Sequence, residues 1–532
     1  MTATKKRILF GALILAVTAG ALAMRLDELA RRPMHTDEAV HTEKFRELYE
    51  EGFYRYNPHE FHGPTLNYLT LPVVWLSRPI TYAETTETHY RIVPVIFGVL
   101  LVALLWGIGD GIGRVAAVCA GVLTAISPAM VFYSRYYIQE MLLVAFTFGA
   151  IVAGWRYARS RHLGWALLCG ACIGLMYATK ETCIIAYAAM AAALLVAKVV
   201  TKVTGPGRDN REFGRIKASH VLCGAGVACL VSVVFFSSFF TNASGPLDSL
   251  RFLAAYFHRA GGEGFSGLHK HPWHFYLRML TFYRDAPGPW WSEGLILLLA
   301  VCGIVAAITR KGLGDASVAF SRFVAVYSAF MVVAYSAIPY KTPWCMLGFL
   351  HGLILLAGLG AAAIVRWLPK APLKVLVVVL LLAGGLQLAR QGRRANCRFC
   401  ADWRNPYVYA QTSRDLLRLA KRAHQMAAIH PDGYDMRINI IAAEADYWPL
   451  PWYLRRFNQG RIGYWREPPE DADAPMVVAG VSHGTAAGVE AKLRDKYQTE
   501  YYGLRPNVLL RVYIRRDLWR TFLDHLRRAQ PK

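Results

Sequence analysis

Residues 371–389 are APLKVLVVVLLLAGGLQLA, a run in which Lys374 is the only charged side chain. A helix of about 20 apolar residues spans roughly 30 Å of hydrocarbon, so this run predicts a transmembrane helix. Apolar residues make up 55% of the 532-residue chain. Comparable runs lie at 8–24, 91–109, 114–132, 138–155, 163–179, 182–200, 219–240, 291–309, 322–339 and 344–365. The sequence therefore predicts a mainly α-helical, polytopic membrane protein with about 11 transmembrane helices.

Basic residues in the loops predict the orientation of these spans. If Lys5, Lys6 and Arg7 hold the amino terminus inside, the even-numbered connections also face the cytoplasm. These connections are basic at Arg114, 156–161, 198–217, 310–311 and 366–374. The pattern agrees with the positive-inside rule and accounts for the net charge of +24 without nucleic acid as a partner. Residues 1–24 are also compatible with a signal peptide, which leaves residue 25 on the same outer side.

The sequence beyond residue 389 differs from the spans that precede it. Apolar stretches predict strands at 438–443, 476–481 and 508–514, and helical spacing predicts helices at 412–429, 485–497 and 516–529. We therefore expect a transmembrane domain of residues 1–389 and a soluble extracytoplasmic α/β domain of residues 390–532. A Gly-rich phosphate loop follows none of the predicted strands, so the sequence gives no indication of a nucleotide site.

Polar clusters at the edges of the spans fall on one predicted side of the membrane. They are Asp37-Glu38, 135–140, 179–181 and 340–342. Ionisable residues at membrane depth are costly and usually functional, so their gathering on one side predicts a shared polar cavity. We expect the active site there, with both the cavity and the second domain facing out from the cytoplasmic membrane.

The first outer loop, residues 25–90, carries Asp37-Glu38 and an apolar run that ends at Ser77. That run is short for a span and predicts an interfacial or re-entrant helix. A carboxylate pair at this depth can act as a base toward a hydroxyl or bind a divalent cation. The alternative is a helix amino-terminal cap, because acidic residues favour the first turn.

Four predicted connections present a cation on the same side as the carboxylate pair. These cations are Arg91, Arg135, Lys180 and Lys341. Such charges would stabilise a phosphate leaving group at the membrane surface. The alternative is that each side chain reaches lipid headgroups or pairs with a neighbour, as Lys180 would with Glu181.

The order of motifs in the first outer loop resembles a known class of membrane enzymes. Asp37-Glu38 is followed by His62-Gly63-Pro64 and an apolar stretch, then by Arg91 at the start of a span. This order, with the connection 134–140, resembles the protein mannosyltransferase and aminoarabinose transferase group, which has the GT-C fold. The Lys180-Glu181 turn and the stretch 405–409 resemble more narrowly the flippase activity-associated, Agl-type family of bacteria and archaea.

The resemblance implies inverting transfer of a sugar from a polyprenyl-phosphate-linked donor to a glycan, lipid or protein acceptor at the outer membrane face. Asp37 would be the base, or the metal-linked activator of the acceptor, and Glu38 would support it. Arg135 and Lys180 would hold the donor phosphate. The other expected substrate-binding residues are His62, Arg91, Glu140, Glu181 and Lys341. No cofactor is required by these motifs, and a divalent cation remains a possible one.

Two features depart from the mannosyltransferase pattern, and two other functions stay open. Gly63 stands where those enzymes usually have a second proline, and the loop 241–291 is shorter than their outer loop domain. A lipid-linked sugar flippase or transporter would use the same cations without chemistry. It would also place charged positions at mid-membrane, where these spans are nearly free of charge. A non-catalytic partner in envelope glycan assembly is the third possibility.

Three further groups are open to more than one interpretation. His258, His269, His271 and His274 in the loop 241–291 indicate either a metal site or, as we favour, a mobile loop over the acceptor. The pair Cys397 and Cys400 favours a structural disulfide over a redox pair or half a metal site. The aromatic group at 446–453 either touches the acceptor or docks the second domain onto the membrane domain.

Overall fold

The computed structural model describes residues 2–57, 62–204, 216–251, 269–285, 287–482, 485–493 and 495–529. Helices dominate the described part of the first 393 residues. They are α1 (Ala3–Leu26), α2 (Thr36–Glu51), α3 (Thr65–Ser77), α4 (Glu87–Leu104), α5 (Arg114–Ile126), α6 (Pro128–Tyr133), α7 (Glu140–Ser160), α8 (Leu163–Tyr177), α9 (Cys183–Thr204), α10 (Ala218–Phe236), α11 (Phe275–Thr281), α12 (Gly294–Thr309), α13 (Val318–Ala337), α14 (Leu347–Trp367) and α15 (Ala371–Arg393).

Seven of the described helices are long and apolar enough to cross a membrane, and four shorter apolar helices accompany them. Each of the predicted runs coincides with one of these helices, except that 114–132 is divided between α5 and α6. Ser127 ends α5 and caps α6 by accepting a hydrogen bond from the Met130 amide. The structure confirms a mainly helical, multi-pass membrane protein, and the number of 11 spans stays a prediction.

The spans differ in how much of their surface the protein itself covers. In α7 and in the helix that ends with α14, 72% and 83% of the most apolar 18-residue stretch is buried inside the protein. These helices therefore form the centre of the bundle. In α1 and in the helix that begins with α15, the corresponding shares are 17% and 6%. Those two helices therefore lie at the periphery, where their apolar side chains face lipid.

The first outer loop contains two helices of different character. α2 is polar and half-buried, whereas α3 is apolar and has only 13 residues. That length is too short to cross the hydrocarbon, in agreement with the interpretation of 65–77 as an interfacial or re-entrant helix. α2 begins beside the end of α1, so the carboxylate pair at its first turn lies at the same end of the bundle as Arg25.

The carboxyl-terminal part contains a five-stranded mixed sheet with the order β2-β1-β3-β5-β4. The strands are β1 (Ile438–Ile441), β2 (Ile462–Trp465), β3 (Met476–Gly480), β4 (Tyr497–Arg505) and β5 (Val508–Arg515). β1 pairs in parallel with β2 and β3, and β5 pairs antiparallel with β3 and β4. The helices α16 (Asp415–Ile429), α17 (Leu450–Tyr453), α18 (Thr485–Leu493) and α19 (Arg516–Ala529) complete this part.

This sheet confirms the predicted small α/β unit, including the three predicted strands and the three predicted helices. Its β2 and β4 were not predicted. The predicted boundary at residue 389 falls inside α15, which continues to Arg393 and then into an irregular turn ending at Arg398. The division into residues 1–389 and 390–532 is therefore kept as a proposal.

The aromatic group at 446–453 docks the sheet onto the helical part. The indole nitrogen of Trp452 donates a hydrogen bond of 3.0 Å to Oε1 of Glu87, and the Tyr453 hydroxyl accepts one of 2.8 Å from the Met34 amide. The Arg455 guanidinium lies 3.6 Å over the Trp452 ring and donates to the Thr85 carbonyl. Of the two interpretations of this group, docking describes Trp452 and Tyr453, both of which are buried.

Candidate functional site

The carboxylate pair occupies the first turn of α2, where His35 is the N-cap residue. Nδ1 of His35 accepts a hydrogen bond of 3.1 Å from the Asp37 amide, and Glu38 accepts one of 3.0 Å from the His35 amide. Nε2 of His35 in turn lies 2.9 Å from the Tyr409 carbonyl oxygen, to which it donates. Burial lowers the pKa of His35, in keeping with this neutral tautomer. The cap interpretation of the pair is thus correct for Glu38.

Glu38 is fully buried and all of its acceptor capacity is in use. Its Oε1 accepts from Nε of Arg91 at 2.8 Å, from Arg32 at 3.3 Å and from the Tyr137 amide at 3.0 Å. Its Oε2 accepts from Nη2 of Arg91 at 2.8 Å. Burial alone would raise the pKa of Glu38, but the Arg91 and Arg32 charges and these hydrogen bonds lower it to about 2. A carboxylate held this way is a permanent anion of the framework.

Arg91 is also fully enclosed, and it joins α4 to the segment that leads into α2. Besides Glu38, it donates to the carbonyl oxygens of Leu29, Arg32 and Pro33 at 2.8–3.2 Å. All of its guanidinium nitrogens therefore have partners, and none is left for a substrate. The structure places Arg91 and Glu38 in the framework, in contrast to the substrate-binding and catalytic roles expected for them.

Asp37 points away from this framework. Its side chain is 42% exposed, and Oδ2 lies 3.8 Å from Nδ1 of His35. Within the described part of the chain, its carboxylate accepts no hydrogen bond. The charge of Asp37 contributes to the pKa of His41, of His269 and of Tyr409. Asp37 is the carboxylate of the pair that keeps free acceptor positions within the described part of the chain.

The His62-Gly63-Pro64 stretch packs directly against the turn that carries Lys180 and Glu181. The Gly63 amide donates to the Thr179 carbonyl at 3.1 Å, and a Cβ at Gly63 would lie 2.1 Å from the carbonyl oxygen of Ala178. Only glycine permits this approach of two backbones. Nδ1 of His62 lies 3.0 Å from Oε2 of Glu181. The departure from the mannosyltransferase pattern at Gly63 thus has a packing reason.

Lys180 and Glu140 form a buried ion pair between the start of α7 and the turn after α8. Burial alone would lower the pKa of Lys180, but the charge of Glu140 raises it well above its ordinary value. The pair lines a narrow cavity of about 20 Å³, room for roughly one water. Trp344, Tyr335, Leu143 and Val144 form part of its walls.

Asp37 and Lys180 share neighbours and therefore face one region. The charges of Lys180, Asp37 and Glu140 all act on the phenol of Tyr340, whose pKa is raised to about 12, chiefly by burial. The charges of Asp37 and Lys180 also both act on His41, whose pKa burial lowers to about 3. The His41 ring lies 6.5 Å from that of His62. His62 in turn lies 3.0 Å from Glu181, so these contacts connect the helix that carries Asp37 to the turn that carries Lys180.

Two of the expected cations lie elsewhere. Arg135 lines a separate cavity of about 730 Å³ beside Asp27 and Arg393. Nζ of Lys341 is held by the carbonyl oxygens of Ile338 and His271, and its amide donates to the His269 carbonyl. Lys341 therefore fixes the end of the loop 241–291 rather than presenting its charge. The structure does not bring Arg135 and Lys180 to one phosphate.

The sequence did not indicate that His35, His41 and Tyr409 belong to the site, whereas Tyr340 lies in the predicted polar cluster 340–342. The spacing of Asp37 and His41 was an available signal, because residues four apart on a helix share a face. Tyr409 belongs to the stretch 405–409, and Nδ1 of His269 lies 2.6 Å from its hydroxyl. No local pattern indicates that this stretch reaches α2.

Few side chains in the described structure are placed to coordinate a metal ion. Among the described residues, no group of three or more His, Cys, Asp and Glu side chains is placed to hold one. His258 and Glu263 lie outside the described residues. His271 stacks on Phe275, with ring centroids 4.2 Å apart. A cation at Asp37 would need most of its ligands from water or substrate phosphate.

The predicted disulfide is wrong for this structure, in which Cys397 and Cys400 are both free. The Cys397 sulfur lies 3.8 Å from Oδ2 of Asp27, whereas the Cys400 sulfur accepts a hydrogen bond of 3.6 Å from Arg414. The two thiols therefore belong to different surroundings.

Comparison with known proteins agrees with the class inferred above. Residues 70–206 match the family model of dolichyl-phosphate-mannose-protein mannosyltransferase. ArnT from Cupriavidus metallidurans, solved with undecaprenyl phosphate, has a similar structure, with a TM-score of 0.58 and 15% identity over 96% of this chain and 98% of that one. The Archaeoglobus fulgidus oligosaccharyltransferase, solved with Zn and sulfate, is also similar, with a TM-score of 0.53. Its sequence is 13% identical over 93% of this chain and 73% of that one. No curated protein matches the chain.

The structural similarity confirms the predicted GT-C fold of a multi-pass membrane protein, and residues 70–206 match the model of a glycosyltransferase family. The matched segment contains Arg91, Arg135, Glu140 and Lys180 and begins after Asp37. The narrower resemblance to the Agl-type family stays a prediction.

Proposed function

We propose that the protein transfers a sugar, with inversion, from a polyprenyl-phosphate-linked donor to an acceptor at the outer face of the cytoplasmic membrane. The observation that carries this proposal is the position of the Asp37 carboxylate. It is half-exposed and accepts no hydrogen bond from the described residues, and contacts through His41 and His62 connect its helix to the turn that carries Lys180 and Glu181. The solved ArnT with undecaprenyl phosphate supports a lipid-phosphate donor for this fold.

Asp37 is proposed as the general base that accepts the proton of the attacking hydroxyl. A base must have a free lone pair within reach of that proton, and Asp37 has one whereas Glu38 does not. The backbone of Asp37 is fixed by the His35 cap, so its carboxylate is carried on the rigid first turn of a helix. Glu38 and Arg91 are positioning residues in this mechanism.

Lys180 is proposed to hold the donor phosphate and to stabilise the charge that grows on it as the bond to the sugar breaks. In the described structure Glu140 compensates its charge, so the cation is present and oriented before the donor arrives. His62 and Glu181 are proposed to orient the turn and to contact the sugar.

The proposed acceptor is a glycan, lipid or protein that approaches from the side of the sheet. The descriptions of the similar proteins support this range, since they include a protein mannosyltransferase and an oligosaccharyltransferase. The basic loops that are predicted to face the cytoplasm support an outer location for the site, because the site residues lie at the other ends of the spans. A divalent cation bridging Asp37 and the donor phosphate is compatible with the exposed carboxylate, and no step depends on it.

The test compares Asp37→Asn with Asp27→Asn in cells that otherwise lack the protein. Asp27 is a matched control, because it is 45% exposed and lies at the same end of the bundle outside this region. Mass spectrometry of lipid-linked sugars and envelope glycans should show an accumulating donor and a missing glycan residue with Asp37→Asn alone. Equal glycan output from both variants at equal expression would contradict the proposal.

The same experiment distinguishes the flippase alternative. A transporter that lacks the base still moves its lipid, so Asp37→Asn would leave the sugar modification intact. A non-catalytic assembly partner would likewise tolerate the isosteric change. Loss of transfer at normal protein level therefore separates the proposed enzyme from both.

A further inference from the structure

The cavity that contains Arg135 is separate from the proposed transfer site. It lies between the ends of α1 and α15, at the level where the spans leave the hydrocarbon. Three arginines, Arg135, Arg390 and Arg393, line it, together with apolar side chains that include Met24, Leu26 and Val131. Its volume of about 730 Å³ is large enough for a lipid headgroup.

Arg135 is the buried charged side chain in the wall of this cavity. Its side chain is 5% exposed, and Nη2 donates to the Asp27 carbonyl at 2.6 Å. Nη1 is buried and has no hydrogen-bond partner among the described residues. The ionisable groups that interact with it are Arg25, Arg32, Arg91, Glu28 and the thiol of Cys397, which is a weak acceptor. A buried guanidinium nitrogen without an acceptor is costly, so this position calls for an anion.

The surroundings of Arg135 carry an excess of buried positive charge. Arg25, Arg32, Arg91 and Arg135 are each at most 5% exposed. Glu38 is the fully buried carboxylate among their described partners, whereas Asp27 and Glu28 are 45% and 42% exposed. Burial, followed by the charge of Arg32, lowers the pKa of Arg135 to about 10. A further anion in the cavity would offset this excess.

The position of the cavity in the bilayer indicates the kind of anion. α1 and α15 are both peripheral helices, and exposed apolar side chains such as Leu22, Leu382 and Leu386 lead along them toward the cavity. An anion that arrives there with an apolar tail can bury the tail against these helices while its phosphate reaches the arginines. Arg390 and Arg393 are exposed at the rim, as expected for contacts to a headgroup.

We propose that this cavity binds the phosphate of an anionic glycerophospholipid of the surrounding bilayer, with its acyl chains along α1 and α15. Bulk phospholipid is the favoured occupant because the cavity opens to the bilayer and does not contain Asp37 or Lys180. The bound phosphate completes the partners of Arg135. Arg135 in turn accepts, through its carbonyl oxygen, a hydrogen bond of 2.7 Å from Arg32, which holds Glu38. The lipid thereby stabilises the segment that positions α2.

The test is lipid retention by the full chain, measured by native mass spectrometry after reconstitution in mixtures of phosphatidylcholine and phosphatidylglycerol. The wild-type chain should retain phosphatidylglycerol preferentially. Arg135→Gln and Arg393→Gln should each weaken this retention about tenfold or more, as expected when a charge partner of phosphate is removed. Arg393→Gln keeps the test valid if Arg135→Gln fails to fold, because Arg393 is 78% exposed.

Arg394→Gln is the matched control, since Arg394 is exposed in the same segment but lies over the Phe399 ring outside the cavity. It should retain phosphatidylglycerol like the wild type. Soluble glycerol phosphate should neither compete with the lipid nor raise the melting temperature, because it lacks the tails. Equal retention by wild type and both cavity variants would overturn the proposal. So would preferential occupation by undecaprenyl phosphate over phosphatidylglycerol. Lipid retention is measured without sugar transfer, so this result is independent of the proposed enzyme activity.

Discussion

Asp37 and Glu38 are neighbours in sequence, yet they belong to two regions of opposite character. Glu38 lies inside an arginine cluster, is fully buried and has every acceptor position filled. Asp37 lies toward the region of Lys180, is 42% exposed and accepts no hydrogen bond from the described residues. A single turn of helix thus carries both a carboxylate that holds the fold together and one whose acceptor positions stay free.

The comparison shows how a framework can prepare a reactive group beside it. Because Glu38 neutralises the arginines and caps the helix, the turn is rigid without any help from Asp37. Because the Asp37 carboxylate accepts no hydrogen bond from the described residues, the structure of the turn does not depend on it. The predictions below test this division, from the largest expected effect to the smallest.

Glu38→Gln should destabilise the protein strongly without entering the reaction directly. Replacing the anion leaves Arg91 and Arg32 buried with a neutral partner, at a cost of about 3 kcal/mol or more. The measurement is the thermal midpoint of the purified protein in detergent, with Asp37→Asn as the comparison. We expect a large decrease for Glu38→Gln and almost none for Asp37→Asn, and the reverse order would contradict the assigned roles.

Gly63→Ala should separate the His62 loop from the Lys180 turn. Its Cβ would meet the Ala178 carbonyl oxygen at 2.1 Å, so the backbone must shift at a cost of about 1–3 kcal/mol. Transfer should fall as well, because Glu181 and Lys180 move relative to His62. Gly20→Ala is the control, since a Cβ there meets nothing within 4 Å. Equal stability of the two variants would argue against the described packing.

Acidification should weaken the cap of α2 through His35. Its ordinary pKa of 6.5 is lowered in the folded protein, so the unfolded chain takes up the proton first. This stabilising contribution is complete above pH 6.5 and is lost as the pH falls from there toward the folded-state pKa. Between about pH 7.5 and pH 5.5 the wild type should lose about 1 kcal/mol more than His35→Asn, which caps without titrating. Parallel pH profiles of the two would refute the neutral-cap assignment.

Trp452→Phe should have the smallest effect, because it removes one hydrogen bond from the docking contact. The lost bond to Glu87 is worth about 1 kcal/mol. The exposed Trp403 supplies a control, since Trp403→Phe changes the same chemistry away from the docking contact. We expect faster proteolysis between the helical part and the sheet for Trp452→Phe alone, whereas equal cleavage of both would speak against docking.

The spans could be predicted because each is a continuous apolar run, a property that every residue carries by itself. The strands β1, β3 and β5 were equally visible as apolar stretches. β2 has only four residues with Gly463 and Tyr464 at its centre, and β4 mixes polar and aromatic side chains without alternation, so neither has the apolar pattern of a strand. Their pairing in the sheet depends on partners far away in sequence.

The sequence predicts on which side of the membrane the site residues lie, but not toward which neighbouring helices their side chains point. Loop charges indicate the side of the membrane on which Arg135 and Lys180 lie. They carry no information on which neighbour each one faces, and the two face different cavities. The same limit applies to Arg91, whose partner Glu38 lies 53 residues away in sequence. Long-range pairing decides which cation belongs to the framework and which is available to substrate.

The most direct test of the central claim is to separate binding from chemistry at Asp37. The probe is the polyprenyl-phosphate sugar that accumulates in cells with Asp37→Asn, and it is offered to the wild type and to Asp37→Asn in nanodiscs. We predict that the two bind it with equal affinity, whereas single-turnover transfer by Asp37→Asn is slower by about 100-fold or more. Transfer at the wild-type rate, or loss of donor binding with Asp37→Asn, would contradict the assignment of Asp37 as the base.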